Sequence, residues 1–340
     1  MEIKDLLEKV AEGYDLSMLE AEEAFSRIFL GEFTNAQMAS FLTSLKIKGE
    51  TVEEIAGAAG AMRKNALPVE IDDELRSNLV DTCGTGGDYK NTFNISTSAA
   101  LIAAGSGVKI AKHGNAGVSS KSGSADVLKE LGVNINAGIE LIIQCIGEAN
   151  IGFLFAPKFY GAMKFAAPVR KELGFKTIFN ILGPLTNPFG AKNQLLGVYS
   201  LDLSEKVVNV LRMLKTRRAF VVHGKDGLDE VSLSSTTMVH ELNNGIVTSY
   251  EFDPRDYGFE LYDIREFQSF SPSENALIIE EILNGKHSSK ANMAVINAGF
   301  VLLAAGKAND LKEAFYLSKE SLSSGMAKKA LNDLKKISNF

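Results

Sequence analysis

Over about the first 65 residues, hydrophobic positions recur with a helical period and never alternate in the strand fashion. Leu6, Leu7 and Val10 mark the apolar face of one amphipathic segment, and Ala39, Phe41, Leu42 and Leu45 mark that of another. Ser17 with Glu20, Thr34 with Gln37, and Thr51 with Glu54 form three successive S/T-x-x-E/Q pairs. Each pair is a helix start, because hydroxyl and acid or amide reciprocally cover N–H groups that have no partner inside the helix. Pro68 closes this region. Beyond it the period changes: apolar runs at 78–82, 108–111, 151–155 and 219–222 alternate with helical segments at 125–131, 141–149 and 205–214. Alternation of that kind predicts a mostly parallel sheet with helices on its faces.

The expected architecture is therefore α/β, with a small all-helical domain over 1–70 and a larger α/β domain over 71–340 with a mostly parallel central sheet. Helical patterning returns between Tyr160 and Leu182. It predicts a discontinuous insertion at about 160–185 that packs back on the N-terminal helices. Asn243-Asn244-Gly245, between runs at 238–242 and 246–250, has the residues of a tight hairpin turn. From Ser271 onward the chain reads as helical, with a very Ala-rich and therefore buried segment at 288–302.

Composition narrows the class of function. The 340 residues are 45% hydrophobic and 23% charged, with a formal net charge of −6. That balance suits a globular protein and argues against a general nucleic-acid or acidic-membrane surface. Two cysteines, Cys83 and Cys145, cannot make a disulfide framework or a zinc site and fit a reducing compartment. The first residues, Met-Glu-Ile-Lys-Asp, lack the basic and apolar regions of a signal peptide. The most apolar stretch, 98–111, is interrupted by Gly105, Ser106 and Gly107 and is too short to cross a bilayer. A cytoplasmic protein without nucleic-acid or membrane partners is expected.

Candidate chemistry lies in three loops. Residues 81–88 read Asp-Thr-Cys-Gly-Thr-Gly-Gly-Asp after the first apolar run, and Asn94, Ser96 and Thr97 follow at the start of an Ala-rich helix. Gly84, Gly86 and Gly87 free the backbone to aim several N–H groups at one anion, so strand, glycine loop and helix start together suit a phosphate cradle. The same residues also suit a tight ligand-free turn, since neither the Walker nor the dinucleotide glycine spacing is present. A second loop, 112–126, carries Lys112, His113, Asn115, Lys121 and several serines into a helix that Ser124 can cap. Two such loops in succession point to a ligand with more than one phosphate. The third, Gly227-Leu228-Asp229-Glu230, offers adjacent carboxylates that either face solvent or hold Mg²⁺, and Asp88 has the same two readings. His113 and Asn115 stand nearest a reacting group. Nothing in the pattern alone singles out Arg170, and no hydrolase triad or zinc motif occurs.

In combination, DTCGTGGD with NISTS (81–98), KHGN with VSSKSGSADVLKELG (112–132), APVRKELGFKTIFNILGPLTNP (167–188) and GLDEVS (227–232) resemble the anthranilate phosphoribosyltransferases. The resemblance implies a helical domain hinged to an α/β domain around a cleft, and homodimers formed through the helical domain. It implies transfer of a ribosyl 5-phosphate group from phosphoribosyl pyrophosphate (PRPP) to the amine of anthranilate, with Mg²⁺, two ions per site, as cofactor. Gly84, Thr85, Gly87, Asp88, Asn94, Ser96, Thr97, Lys112 and Ser124 would line the PRPP site. Ser96, Asp229 and Glu230 would reach metal, and Gly84, Asn115 and Arg170 would meet anthranilate, His113 and Asn115 acting by position. Two departures fall on the acceptor side: Ala116-Gly117 stands where the family usually has Arg, and Tyr160-Gly161 where it usually has His-Pro. A tyrosine there would still stack on an aromatic acid. The alternatives are a pyrimidine nucleoside phosphorylase of the same broad fold and a catalytically silent nucleic-acid-binding relative.

Overall fold

The computed structural model describes residues 1–117 and 122–340. The chain opens with four helices, α1 (Ile3–Ala11), α2 (Met18–Phe29), α3 (Asn35–Lys48) and α4 (Val52–Lys64). All three expected capping boxes form, at the starts of α2, α3 and α4. One of them does more than cap. Glu54, fully buried, accepts from the Thr51 and Leu16 N–H groups at 2.9 Å each and from Lys48 Nζ at 2.9 Å. A single carboxylate thereby ties the end of α3, the start of α4 and the turn before α2. In α1 and α3 the buried stripes are Leu6 and Val10, and Met38, Phe41, Leu42 and Leu45; Leu7 and Ala39 lie at their margins.

A short helix α5 (Asp73–Asn78) leads into a seven-stranded sheet, and the chain continues β1 (Val80–Gly84), α6 (Ile95–Gly105), β2 (Ile110–Gly114), α7 (Ser124–Glu130), α8 (Ile139–Ala149) and β3 (Ile151–Phe155). Helices α9 (Ala156–Phe159), α10 (Ala166–Leu173) and α11 (Phe179–Leu185) interrupt the strands before β4 (Asn193–Gly197), α12 (Leu201–Met213), β5 (Arg218–Gly224), β6 (Thr237–Asn243) and β7 (Ile246–Phe252). Strand order is β3-β2-β1-β4-β5-β6-β7, parallel through β5 and antiparallel beyond it. Asn244 and Gly245 both take positive φ in the β6–β7 turn, as a two-residue hairpin with right-handed strands requires. Four helices, α13 (Pro272–Leu283), α14 (Ser289–Ala304), α15 (Leu311–Ser323) and α16 (Met326–Ser338), finish the chain, with α14 buried along nearly its whole length. None of the helices is long and apolar enough to cross a membrane, among the described residues.

Side-chain alternation along the strands separates two cores. Phe220 and Val222 enter the core beneath α6, α14 and α16, while Ala219 and Val221 enter the one shared with α12 and the N-terminal helices. Helices α10 and α11 lie against α3 and α4, and Phe179 stacks edge-on to Phe25 and Phe29 of α2. The one strand that the hydrophobic pattern does not reveal is β4, the middle of the sheet. Its first two residues are amides. Asn193 donates to the Ser77 and Leu79 carbonyls and Gln194 to the Pro184 carbonyl, so polar side chains are buried with their partners supplied.

Chain order places the crevice. From β1 the chain winds outward to β2 and β3, then returns to β4 on the other side of β1. Loops leaving β1 and β4 therefore part to opposite faces, opening a gap at the carboxyl ends of those two strands. Glu54→Ala should destabilise the protein by about 3 kcal/mol in urea denaturation, since it leaves the Leu16 and Thr51 N–H donors without their acceptor and removes one of the two carboxylates paired with Lys48. Glu54→Gln, which keeps an acceptor, should cost less.

Candidate active site

Gly84 and Gly197 are paired at the carboxyl ends of β1 and β4, and the gap opens beyond them. Gly86 and Gly87 follow with φ of 63° and 76°, a conformation that lets successive N–H groups face outward. The acidic loop after β5 closes on this turn. Asp229 Oδ2 accepts the Gly86 N–H at 2.7 Å. A Cβ at Gly84 would come within 2.5 Å of the same carboxylate oxygen, and one at Gly197 would collide with the Asp229 carbonyl. Beyond Glu230, Asn297 of α14 clamps the Val231 backbone from both sides, accepting its N–H at 3.0 Å and donating to its carbonyl at 2.9 Å.

A cavity of about 140 Å³ lies between these loops, walled by Gly86, Gly87, Asp88, Asn94, Ser96, Ser122, Asp229 and Glu230. The start of α6 is held in it by the buried Asn275, whose Oδ1 accepts the Asn94 N–H at 2.8 Å. A larger cavity of about 670 Å³ adjoins it across Gly86, Gly87 and Tyr89, with Thr85, Asn115, Arg170, Lys171, Phe175, Lys176 and Asn180 on its walls. Arg170 stacks on the Phe179 ring at 5.3 Å and, among the described residues, has no carboxylate partner. Burial draws its pKa down.

Three predicted site residues stand behind the walls. Lys112 is a strand residue of β2, almost fully buried, donating to the Thr82 carbonyl at 2.7 Å and Ser96 Oγ at 3.2 Å. His113 is buried beside Tyr160. Burial, chiefly, holds its pKa down at about 4, so it is neutral at pH 7. Thr97 is fully buried in the first turn of α6 with no partner for its hydroxyl among the described residues. Ser124 does not cap its helix. Gly123 occupies that position, Asp126 accepts the Gly117 and Gly123 N–H groups, and the Ser124 hydroxyl lies against Gly114. Residues 118–121, including Lys121, lie outside the described residues. Tyr160 is buried beside His113, with its hydroxyl donating to the Thr186 carbonyl.

The acids are crowded and half-buried. Burial first, then the Asp88 charge, pushes Asp229 up to about 7, and burial with the Asp229 charge raises Glu230 well above the usual range despite Lys112. Uncompensated hard oxygen donors, with no thiolate or imidazole beside them, suit Mg²⁺. Among the described residues no three acids, histidines or cysteines converge into a ready cage, so part of the ion's shell must come from phosphate or water.

Lys176, Tyr89 and Tyr199 escape sequence reasoning. Lys176 Nζ lies 3.6 Å from the centroid of the Tyr199 ring and 5.0 Å from that of Tyr89, and donates to the Gly87 carbonyl at 2.7 Å. A single lysine thus clasps the glycine turn to the strand-β4 exit. Its only signal was its place in the run 167–188.

A crevice at the switch point, floored by a glycine turn and flanked by a helical bundle, defines a class. Residues 4–66 match "Glycosyl transferase family, helical bundle domain" and residues 76–328 match "Glycosyl transferase family, a/b domain". Anthranilate phosphoribosyltransferase of Desulfosudis oleivorans is 49% identical over 329 residues, covering 96% of each chain. The crystal structure of anthranilate phosphoribosyltransferase from Thermus thermophilus superposes with a TM-score of 0.93 at 39% identity, covering 99% of this chain and 100% of that one. That from Saccharomyces cerevisiae, in complex with PRPP and Mg, superposes with a TM-score of 0.89 at 29% identity, over 99% and 98%. This chain belongs to the anthranilate phosphoribosyltransferase family.

The raised Asp229 pKa has a measurable consequence. An unfolded aspartate loses its proton near pH 3.9, whereas the folded one keeps it to about 7, so this group's contribution to stability falls as pH rises between the two. In metal-free protein, thermal denaturation should show Tm declining from about pH 4 to about pH 7, and Asp229→Asn should flatten the decline.

Proposed function

We propose that the two adjoining cavities transfer the 5-phosphoribosyl group of PRPP to the amine of anthranilate, giving N-(5-phosphoribosyl)anthranilate and pyrophosphate, the second step of the tryptophan branch. One observation carries the reading: a donor-lined, acid-flanked cavity meets an arginine- and lysine-lined one across Gly86 and Gly87. Polyphosphate on one side and an aromatic carboxylate on the other match those linings. The yeast relative's complex with PRPP and Mg supports the first half.

In this reading Gly84, Thr85, Gly87, Asp88, Asn94, Ser96 and Thr97 form the PRPP cradle, with Lys112 and Ser124 supporting it. Gly84, Asn115 and Arg170 receive anthranilate, where a guanidinium fork fits a carboxylate. Asp229 and Glu230 would hold Mg²⁺ and Ser96 would reach a second ion, giving two per site. When bound, Mg²⁺ neutralises charge on the departing pyrophosphate. Rupture at ribose C1 leaves positive charge on the sugar and negative charge on pyrophosphate. The chain contributes the polar side chains of Asn94 and Ser96 at the α6 start, which line the cavity, and the buried Lys112 charge behind them. An aryl amine is already unprotonated near neutrality, and His113, neutral and buried, acts by placing its neighbours. Positioning is the main source of rate.

The proposal includes a helical domain of residues 1–70 together with 160–185, an α/β domain completing the chain, and homodimers through the helical domain. Exposed Leu19, Leu30 and Ile47 on the helical side support the last. Free Cys83 and Cys145 fit a cytoplasmic location.

Steady-state assay of anthranilate consumption with PRPP and Mg²⁺ tests the reading. Arg170→Ala should raise the KM for anthranilate by about tenfold or more while changing that for PRPP much less, the signature of a lost charge-assisted contact. A change confined to PRPP would reject the acceptor assignment.

A further inference from the structure

At the other end of the sheet, below the amino ends of β1 and β4, lies a separate cavity of about 360 Å³. Its walls are segments that join the helical bundle to the sheet: the chain after α4, Tyr160, and residues 187–190. Four cations, Arg63, Lys64, Arg76 and Lys192, line it, and no carboxylate does.

Their hydrogen bonding is incomplete. Lys64 is paired with Glu22. Arg63 points Nε and Nη2 at the Leu185 carbonyl, at 3.0 and 2.6 Å, leaving Nη1 uncommitted. Arg76 reaches the exposed Asp73 at 3.7 Å and donates from Nη2 to the Val69 carbonyl at a long 3.5 Å, while its Nε is buried with no acceptor. Lys192 has neither a carboxylate nor another acceptor for Nζ among the described residues. The buried, unmet Arg76 Nε and the mutual repulsion of the cations cost stability, and an oxyanion removes both penalties at once. Burial, then the charges of Arg63, Arg76 and Lys215, lowers the Lys192 pKa, in keeping with a cluster that lacks its counter-ion.

We propose that this hinge cavity is an anion site, taking a tetrahedral oxyanion of the phosphate class, free or as a phosphate ester, between Arg63, Arg76 and Lys192. Five-residue strands separate it from the glycine turn by about 15 Å, so it is distinct from the substrate cleft. Because Arg63 ends the helical bundle while Arg76 and Lys192 precede strands of the sheet, a bound anion clamps the two together across their connections.

Crystals grown in sodium selenate provide the direct test. Anomalous density is expected between the three side chains, and its absence there while the glycine turn binds selenate would overturn the proposal. A second measurement needs no crystal and no activity. Lys192→Gln and Arg76→Gln should each raise Tm without added anion by about 2 °C, because repulsion is relieved. Each should also lose the saturable part of the stabilisation that inorganic phosphate gives the wild-type protein. Parallel titration with glycerol 3-phosphate separates the sources: a tighter fit identifies an ester ligand, a weaker one the free ion. Unchanged phosphate stabilisation in both variants would refute the site, whatever the fate of the transferase reading.

Discussion

Asp229 sits on a turn that has no side chains to keep it away, and the candidate site depends on that approach. Gly84 and Gly197, paired across β1 and β4, leave room for its carboxylate and its carbonyl, and the Gly86 N–H fixes one oxygen. Two loops that follow strands on either side of the switch point are thereby brought into one wall. Asn297 holds the acidic loop from behind, and Asn275 holds the start of α6 opposite it. The α14 and α13 helices thus act on the site through two buried amides rather than through any group that touches a ligand.

The electrostatics follow from that closeness. Asp88, Asp229 and Glu230 share one crowded cavity, with Lys112 behind them and Lys90 and Lys176 at its side, and the metal-free protein relieves their mutual repulsion by holding protons on them to higher pH. His113, kept neutral by burial, and Arg170, drawn onto an aromatic ring, follow the same logic: each is shaped by its surroundings for placement rather than for proton transfer.

Much of this was readable along the chain, where local chemistry decides the structure. The capping boxes at Ser17, Thr34 and Thr51 form as written, because a cap needs only residues three apart. The Asn244-Gly245 hairpin and the positive φ of Gly86 and Gly87 are likewise local. Strand β4 was hidden because its inward amides, Asn193 and Gln194, are satisfied by residues distant in sequence. Lys112 reads as a loop lysine yet is buried, its acceptors supplied by β1 and α6. The partners of Tyr160 and Lys176, Thr186 and Gly87, were hidden for the same reason: they are set by how the elements pack.

Placing a methyl group where Asp229 must pass isolates the central claim. Calorimetric titration of PRPP at graded Mg²⁺ should show that Gly197→Ala stays folded but loses magnesium-dependent affinity by about tenfold or more, some 1.4 kcal/mol. Undiminished magnesium-dependent binding in that variant would contradict the account, because the acidic loop could not then occupy the wall described for it.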